Sequence, residues 1–393
     1  MSDEAMATRE PPSQVEGMPN LPADWEEVTL GDIITLEYGR SLPDKVRRAG
    51  AVPVYGSNGV VGAHDEPLVL TGGIIVGRKG TAGSVTVSPG PFWPIDTTYF
   101  VKARKVVDWD WLATTLHHAR LNELNEATGV PGLNRDKAYG QSVLLPPLDE
   151  QRRIAEVLRS VDEAFAAQSI LCSHLRQTAS DLADDLYAHE LDACGSELVA
   201  YGDACETVQV GIVVKPASYY VDGDGVPALR STNIKRNEID ISALVQLSRE
   251  GHAINKKSAL RAGDVVTIRT GEPGKTAVIP QNAPSPLNCI DIIFSRPKPE
   301  LRPCFASYFI NSGAARMQIG AMQGGLAQQH FNVGEMKKLK LPVPTLVRQD
   351  RVIAVLDAAW QAVRVEEAQL VTLQSTKRAL MADLLSGRVR VPA

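Results

Sequence analysis

The feature that most constrains this chain is an internal repeat with an offset of 198 residues. Segment 146–158 recurs in similar form as segment 344–356, and the register holds without a gap as far as Leu186 and Leu384. A long repeat of this kind indicates that one structural unit occurs twice. The 393 residues are therefore expected to form two similar halves rather than several unrelated domains.

The repeated segment predicts a long helix in each half. Both copies begin just after a proline, which holds the preceding residue extended, and both are then free of proline. Their apolar residues recur at alternating spacings of four and three, which is a heptad seam and predicts two long helices packed on each other. About 38 residues at 1.5 Å each give a rod of about 57 Å, and Gly387 is placed to end the second helix. Ordinary core packing is the alternative explanation of such a stripe. The seam consists of Ile154, Leu158, Val161, Phe165, Leu175, Leu182 and Leu186 in the first copy and of Val352, Leu356, Val363, Leu370, Leu373, Leu380 and Leu384 in the second.

A repeated module precedes each helix. Segment 72–83 matches segment 263–274, because each has a short β-branched strand, an arginine, a tight Gly-x-x-Gly turn and a second β-rich run. Each copy is expected to be a hairpin. The predicted class is therefore α/β (α+β), with a pseudo-twofold internal repeat. The expected boundaries are a disordered acidic tail at 1–22, modules at 23–145 and 191–343, helices at 146–190 and 344–388, and a short tail at 389–393.

The composition limits the function classes. Five cysteines form no C-x-x-C pair, so neither a disulfide framework nor a zinc site is predicted. No apolar stretch resembles a signal peptide or a membrane span, and a cytoplasmic location is expected. The net charge of −5 argues at first against DNA. However, segment 145–197 alone carries −7, whereas segments 28–144 and 198–342 carry +1 and +5.

No catalytic, cofactor or metal constellation is found. Segment 271–276 resembles the end of a phosphate loop, but Arg269 occupies the position that needs a glycine, and a strand rather than a helix follows. The acid-x-Lys triplet at 335–337 has its only Pro-Asp counterpart at 43–44, in the other module. The Asn/Asp-Pro-Pro-aromatic signature of amino-methyltransferases is missing. The sequence therefore predicts a chain without enzymatic activity of its own.

Residues in and beside the glycine-rich turns have the chemistry of DNA contacts. Lysine and arginine can meet phosphates, whereas amides, hydroxyls and arginine suit base edges. Ordinary solvated loop chemistry is the alternative for each. The candidates are Tyr55, Ser57, Asn58, Arg78, Lys79, Thr81, Asn134 and Arg135 in the first module and Arg230, Ser231, Asn233, Lys235, Arg236, Arg269, Lys275, Gln328, Gln329 and Asn332 in the second.

The pattern resembles the specificity subunit of type I restriction-modification systems. The resemblance lies in segment 145–154, Leu-Pro-Pro-Leu-Asp-Glu-Gln-Arg-Arg-Ile, in the long helix after it, and in the C-terminal segment 377–389. It covers nearly the whole chain beyond Pro22. The second copy departs from it, since segment 344–349 reads Pro-Thr-Leu-Val-Arg-Gln, which makes partner contacts there less certain.

The resemblance implies a DNA-reading role for both modules. Each would be a target recognition domain for one half of a bipartite site in double-stranded DNA, with the helices as an antiparallel coiled-coil spacer. Two methyltransferase subunits would dock on the helices, and restriction subunits would join them. S-adenosylmethionine, ATP and Mg²⁺ would be used by those partners, and none would be bound by this chain.

Two other classes remain open from the sequence. An interaction scaffold would show no salt-dependent DNA affinity, whereas a DNA reader loses affinity steeply as salt rises. A stand-alone DNA-modifying enzyme would need catalytic residues that the sequence does not show. The modest positive charge of the modules predicts weak DNA binding by the isolated chain. Antiparallel helices of about 57 Å would hold the modules between one and two DNA turns apart.

Overall fold

The computed structural model describes residues 22–124, 132–193, 198–323 and 330–391. The chain divides into two compact units. The first runs to residue 167 and also includes residues from 370 onward, and the second covers residues 168–369. Each unit therefore contains one module and a part of each long helix.

The first module consists of nine strands and three short helices among its described residues. In chain order they are β1 Glu26–Thr29, α1 Leu30–Ile33, β2 Ile34–Tyr38, β3 Val52–Gly56, β4 Gly59–His64, β5 Gly73–Gly77, β6 Val85–Ser88, β7 Trp93–Pro94, β8 Thr98–Ala103, α2 Trp109–His118, α3 Arg135–Tyr139 and β9 Ser142–Leu145. A four-stranded antiparallel sheet has the order β2-β8-β5-β6, and a smaller sheet has the order β4-β3-β7. β1 and β9 pair antiparallel and bring the two ends of the module together.

The first long helix, α4, runs over Leu148–Ala193. The second module then contributes β10 Val199–Ala200, β11 Cys205–Val210, β12 Val226–Leu229, β13 Ile234–Lys235, β14 Glu238–Ile239, β15 Val245–Leu247, α5 Arg249–Ile254, β16 Ala259–Leu260, β17 Val265–Ile268, β18 Thr276–Val278, β19 Leu287–Cys289, β20 Ile292–Pro297, α6 Pro303–Ile310, α7 Gly313–Gln323, α8 Val333–Lys338 and β21 Lys340–Leu341. The second long helix, α9, runs over Leu346–Leu385.

The two modules have the same strand order. The second module's main sheet, β11-β20-β17-β18, is equivalent to the first module's β2-β8-β5-β6. β12 pairs parallel with β19 as β3 pairs parallel with β7, and β10 pairs with β21 as β1 pairs with β9. The predicted hairpins are confirmed as β5-β6 and β17-β18. Additional strands and α5 between β12 and β17 explain why the repeat is hard to follow in sequence there.

Both long helices cover the predicted seam, but their ends differ from the expected segments 146–190 and 344–388, because α4 continues to Ala193 and α9 ends at Leu385. α4 has 46 residues and α9 has 40, against about 38 expected from the seam alone. In the second unit, Gln168 contacts Glu366 and Glu190 contacts Arg348, so the helix segments run antiparallel there. The first unit's segments are also antiparallel. All of the seam residues are buried or half-buried.

The seam residues pack against the opposite helix and also against the core of the module in their unit. In the first unit, Leu158 and Leu384 belong to the same apolar cluster as the fully buried Trp111 of α2. In the second unit, Tyr187 packs edge-on against Phe305 at 4.9 Å and donates its hydroxyl hydrogen to that residue's carbonyl oxygen. Removing either helix segment would therefore expose a module core to water.

A buried glutamine fixes the start of the first long helix to its module. The side-chain nitrogen of Gln151 donates to the carbonyl oxygen of Pro146 at 2.8 Å, and its side-chain oxygen accepts from the backbone N–H of Asp108 at 2.9 Å. Asp108 is the N-cap of α2, where its carboxylate accepts from the backbone of Asp110 and Trp111. One amide thus holds the start of α4 and the start of α2 together.

The equivalent glutamine forms the same kind of hydrogen-bonded bridge in the second unit. Gln349 is fully buried and donates to the carbonyl oxygens of Pro344 at 2.8 Å and Glu300 at 2.7 Å. Its side-chain oxygen accepts from the backbone N–H of Arg302, the residue before α6, at 2.7 Å. The glutamine in the repeated helix start is therefore explained by a bridge between two helix N-termini.

A second buried polar group lies beside the first of these bridges. Glu150 is 2% exposed, and Arg390 donates to both of its carboxylate oxygens at 2.6 and 2.7 Å. Trp25 donates its indole N–H to the same carboxylate, and Asp24 also pairs with Arg390. Burial acts to raise the pKa of Glu150, but the hydrogen bonds from Arg390 and Trp25 outweigh it, so the pKa lies below its ordinary value.

The predicted stop of the second helix is also confirmed. Gly387 follows the last helical residue by two positions and has φ of 70°, a left-handed conformation that favours glycine. A Cβ at this position would lie 3.0 Å from Pro22 and 3.2 Å from Trp25. The chain can turn back onto the N-terminal strand region only because no side chain is present there.

We expect Gln349→Met to lower the free energy of unfolding by about 1–3 kcal/mol, because a side chain of similar size leaves buried backbone groups without partners. Urea unfolding followed by circular dichroism measures this. Gln374→Met, on an exposed position of the same helix, is the matched control. Equal unfolding midpoints for the two variants would contradict the bridging role.

We expect Glu150 to contribute stability that depends on pH. Because its pKa is lowered in the folded state, the contribution is complete above the ordinary pKa of 4.5 and is lost as the pH falls below that value. Urea midpoints measured between about pH 6 and pH 3 should fall less steeply for Glu150→Gln than for the unchanged chain. Glu156→Gln, on an exposed position of α4, should keep the original slope. Parallel curves for all three chains would refute the assignment.

Candidate nucleic-acid interface

Three loops of the first unit meet at one end of its sheets. They are the β3-β4 turn at 57–58, the β5-β6 turn at 78–83 and the segment 132–135 before α3, which together we name the first loop cluster. The hydroxyl of Ser84 donates to the carbonyl oxygen of Ser57 at 2.6 Å. The backbone N–H of Leu133 donates to the carbonyl oxygen of Arg78 at 2.9 Å. The loops are thus joined by hydrogen bonds.

The first loop cluster brings together most of the residues that the sequence suggested for this module. Three of them, Asn58, Lys79 and Thr81, have exposed side chains on the two turns. Lys79 also forms a β-bridge with Gly132, which links the turn to the segment before α3. The candidates in the cluster are Ser57, Asn58, Arg78, Lys79, Thr81, Asn134 and Arg135.

Two arginines of this cluster converge on one tyrosine. The guanidinium carbons of Arg78 and Arg135 lie 4.9 and 4.8 Å from the ring centroid of Tyr38, which is itself 50% exposed. Cations at this distance are attracted to an aromatic face. Arg78 is further held by donating to the carbonyl oxygen of Asp96 at 2.9 Å. We name Tyr38, Arg78 and Arg135 the arginine–tyrosine site.

A cleft of about 380 Å³ lies beside the arginine–tyrosine site. It is lined by Tyr38, Tyr99 and the segment 132–136. Tyr99 donates its hydroxyl hydrogen to the carbonyl oxygen of Leu133. Burial raises the pKa of Tyr99, and the nearby Tyr38 raises it further. The walls therefore offer a neutral phenol, backbone groups and fixed positive charge, which suit a phosphate or the edge of a base.

The second unit has an equivalent set of loops, which we name the second loop cluster: 230–231, 269–274 and 330–331. The backbone N–H of Phe331 donates to the carbonyl oxygen of Arg269 at 2.9 Å, as Leu133 does to Arg78. The side chain of Arg269 forms an ion pair with Asp291 at 2.8 Å. The geometry is repeated, but the charge of this arginine is neutralised by a carboxylate.

Two arginine nitrogens in the second loop cluster have no acceptor. The Nε atoms of Arg230 and Arg269 are shielded from solvent and have no hydrogen-bond partner among the described residues. Ser231 follows directly and is half-buried. Gln328 and Gln329 lie outside the described residues, so their positions are not assigned.

Two candidates have structural roles instead. Tyr55 is only 6% exposed and packs edge-on against Phe92, with ring centroids 5.8 Å apart. Asn233 is buried, its side-chain oxygen accepts from the backbone of Arg230, and its nitrogen donates to the carbonyl oxygen of Asp240. The aromatic ring of Tyr55 and the amide of Asn233 are thus used inside the module, and contact of these two side chains with bases stays a prediction.

Three basic candidates lie in a different place from the loops. Lys235, Arg236 and Lys275 line a groove of about 330 Å³ against the long helices of the second unit. The guanidinium carbon of Arg236 lies 5.9 Å from the ring centroid of Trp360. Burial lowers the pKa of Arg236, and the positive charge of a neighbouring arginine lowers it further. Lys275 pairs with Glu272 at 2.5 Å. Their expected assignment to the DNA-reading loops is therefore corrected: these charges face helix α9.

The repeated asparagines are helix caps. The side-chain oxygen of Asn134 accepts from the backbone of Asp136 and Lys137 at the start of α3. Asn332 caps α8 in the same way and forms a capping box with Glu335. A side-chain oxygen that satisfies free backbone N–H groups explains why asparagine recurs at the 198 offset. Base contact through these oxygens is not supported.

Within the described ranges, no group of three or more histidine, cysteine, aspartate or glutamate side chains could hold a metal ion. Nor does any helix in the described part of the chain combine the length and the apolar character that a bilayer span requires.

A protein-family model described as "Type I restriction modification DNA specificity domain" matches residues 22–170. The type I restriction enzyme MjaVIII specificity subunit of Methanocaldococcus jannaschii is 21% identical over 414 aligned residues, with 94% of each chain covered. The EcoBI specificity subunit of Escherichia coli is 22% identical over 53% of this chain and 49% of its own.

Residues 22–170 thus match the DNA specificity domain of type I restriction-modification systems, and the chain is similar over nearly its whole length to a specificity subunit of such a system.

Solved structures of chains from type I restriction-modification systems have the same fold. The crystal structure of a type I restriction-modification system S subunit from M. genitalium aligns with a TM-score of 0.57 at 15% identity, covering 94% of this chain and 98% of that one. A chain from a structure of type I restriction-modification complex assembly aligns with a TM-score of 0.52 at 17% identity, covering 94% and 100%. The predicted mixed α/β fold with two long helices is thus confirmed.

Two features of the loop clusters were not predicted from the sequence. Tyr38 lies at the end of β2 and carries no motif, so only the fold reveals that two arginines meet it. The dipeptide Ile95-Asp96 recurs as Ile290-Asp291, and each aspartate contacts the arginine of the adjacent turn. This second signal was present in the sequence, as a short repeat close to the arginine-containing match.

We expect Asn134→Ala to lower stability by about 1 kcal/mol, because α3 loses its cap, whereas Asn134→Ser keeps a capping oxygen and most of the stability. Thermal unfolding of both variants measures the difference. If the asparagine only caps, the serine variant should also keep the DNA affinity of the unchanged complex. A loss of DNA affinity in the stable serine variant would instead return Asn134 to the set of DNA contacts.

Proposed function

We propose that this chain is the DNA sequence-recognition subunit of a type I restriction-modification complex. Each module, with expected boundaries 23–145 and 191–343, reads one half of a bipartite site in double-stranded DNA. The observation that carries the proposal is the pair of equivalent loop clusters, each at the same end of the same strand order and each with an arginine on its glycine-rich turn.

The two half-sites should differ in sequence, because the equivalent loops offer different chemistry. The first loop cluster presents the arginine–tyrosine site and an exposed Lys79, whereas the second pairs Arg269 with Asp291. The shielded Nε atoms of Arg230 and Arg269 would gain acceptors from phosphate or base oxygens. A site read by these two modules is therefore asymmetric.

The helices provide the spacing and the docking surface in this proposal. Their 46 and 40 residues correspond to about 69 and about 60 Å of helix, against roughly 34–36 Å for one turn of DNA. Two methyltransferase subunits would bind to the helical part, and restriction subunits would join them. The similarity of the chain to specificity subunits supports assembly with DNA and with other subunits of such a system.

We further propose that this chain contributes recognition and no chemistry. S-adenosylmethionine would be bound by the methyltransferase subunits, and ATP and Mg²⁺ by the restriction subunits. The complex would then methylate adenine at its site and act as an ATP-dependent endonuclease. Equilibrium dialysis of the isolated chain against labelled S-adenosylmethionine tests this division, since saturable binding would contradict it.

We expect substitution of the arginine–tyrosine site to weaken DNA binding by the assembled methyltransferase complex. Arg78→Gln with Arg135→Gln removes two charges. Each lost phosphate contact should make the slope of log affinity against log salt concentration shallower by about 0.9. A lost base contact should cost about 1–3 kcal/mol at the affected position of the site. Fluorescence anisotropy with a duplex that contains the methylated motif measures both quantities.

Lys102→Gln with Lys105→Gln also removes two charges, from exposed lysines at the end of β8 opposite to the loops, and is the matched control for charge. Its affinity should stay close to that of the unchanged complex. Equal affinity and equal salt slope for the double arginine variant and the control would contradict the placement of the interface.

The function as a whole is tested by single-molecule methylome sequencing of host cells with and without this chain. We expect one bipartite methylated motif to disappear when the chain is removed and to return when it is restored. An unchanged methylome in a host that retains the cognate methyltransferase subunit would contradict the recognition role.

A further inference from the structure

Five polar contacts join residues of unlike chemistry from the two halves of the chain. Four of them connect α4 with α9, and the fifth connects α4 with Arg390, which follows α9. They are Glu150–Arg390 and Asp162–Lys377 in the first unit and Gln168–Glu366, Arg176–Glu367 and Glu190–Arg348 in the second. Because the halves repeat with an offset of 198 residues, the sequence shows which two residues would meet at each contact if a half paired with a copy of itself.

At the helix ends, self-pairing would bring like charges together. In a pair of first halves, Glu150 would meet Glu190 and Asp192, which stand where the second half has Arg388 and Arg390. Glu150 is 2% exposed and already has Asp24 nearby in its own half, so it would be a buried carboxylate among carboxylates. A buried charge without its partner is strongly unfavourable.

A pair of second halves would instead bring positive charges together at the helix ends. Arg348 would meet Arg388 and Arg390, which stand where the first half has Glu190 and Asp192. The centre of the seam would also be repulsive. Gln168 now donates to the carboxylate of Glu366 at 2.6 Å, and these two residues are each other's equivalents in the repeat. Self-pairing of the second half would place Glu366 against Glu366.

The remaining two ion pairs would simply be lost. Asp162 would meet Ala179 instead of Lys377 in a pair of first halves, and Arg176 would meet Ser169 instead of Glu367. None of the five contacts becomes a pair of opposite charges when either half pairs with itself. The apolar seam alone gives no such discrimination, because leucine and valine occupy equivalent positions in both copies.

We propose that the ion pairs of the long helices form a recognition code by which each half of this chain accepts the other half and rejects a second copy of itself. The surface is the polar edge of the seam, and its partner is the complementary half, from the same chain or from a second copy of it. The code is independent of DNA recognition and of the proposed function.

The test begins with the complete folded chain. A site for a sequence-specific protease is placed within residues 194–197, and the purified chain is cut once. The cut protein is then held in mild denaturant to allow exchange, returned to buffer and measured by native mass spectrometry. Random pairing would give the two self-pairs and the mixed pair in a ratio of about 1:2:1 for first-half, mixed and second-half dimers.

We expect only mixed pairs, with each self-pair reduced by about 100-fold or more relative to random pairing. The variant Arg348→Glu with Glu366→Gln should change this result. It offers a glutamate to Arg388 and Arg390 and removes the repulsion at the centre, so pairs of second halves should now form. Arg351→Glu with Glu366→Gln, which has the same change of charge, is the matched control and should still give mixed pairs. Self-pairs in random proportion from the unchanged chain, or no difference between variant and control, would overturn the proposal.

A measurement on the uncut chain covers the case in which the cut halves do not refold. Glu190→Arg and Arg348→Glu should each lower the unfolding midpoint, and the double variant should recover most of the loss, because the pair is restored with reversed charge. Exposed Arg351→Glu should have little effect. Additive losses in the double variant would mean that the two side chains do not recognise each other and would overturn the code.

Discussion

The fold depends on one buried side chain that occurs twice, the glutamine at the start of each long helix. Gln151 and Gln349 each bond the extended proline segment before their own helix and the N-terminus of a helix in the adjoining module. Helix starts leave backbone N–H groups that need partners, and a buried one must be satisfied by protein. A single amide can both donate and accept, which an ionised carboxylate or an ammonium cannot. The direction of each long helix is thereby fixed relative to its own module, so the loops and the ion pairs within each unit follow from this bridge.

Much of the architecture could be predicted because two independent periodicities agree. The heptad spacing located both long helices, and the 198-residue repeat required that whatever preceded one helix also preceded the other. The glycine-rich turns were recognisable as hairpins because each follows a short β-branched strand and precedes a second β-rich run. The ends of the long helices were less predictable, because Ala183 and Tyr187 in the last turns of α4 pack in the core of the module beside the seam residues.

The site was less predictable, because the same residue types serve folding and recognition. Tyr55 and Asn233 look like polar loop residues in sequence, yet one completes an apolar cluster and the other organises a turn. Lys235 and Arg236 follow Arg230 closely, but the β13-β14 hairpin turns them toward a helix. Conversely, Tyr38 gains its importance from two arginines that are 40 and 97 positions away in the chain. Only contacts across the fold distinguish these cases.

The central claim is that the two modules read DNA separately, each for its own half of the site. It is tested most directly by replacing segment 198–342 with the corresponding module of a related specificity subunit and sequencing the methylome of a host that carries the cognate methyltransferase subunit. The account predicts that one half of the methylated motif changes, while the other half and the gap between them stay the same. A motif in which both halves change, or in which neither does, would contradict it.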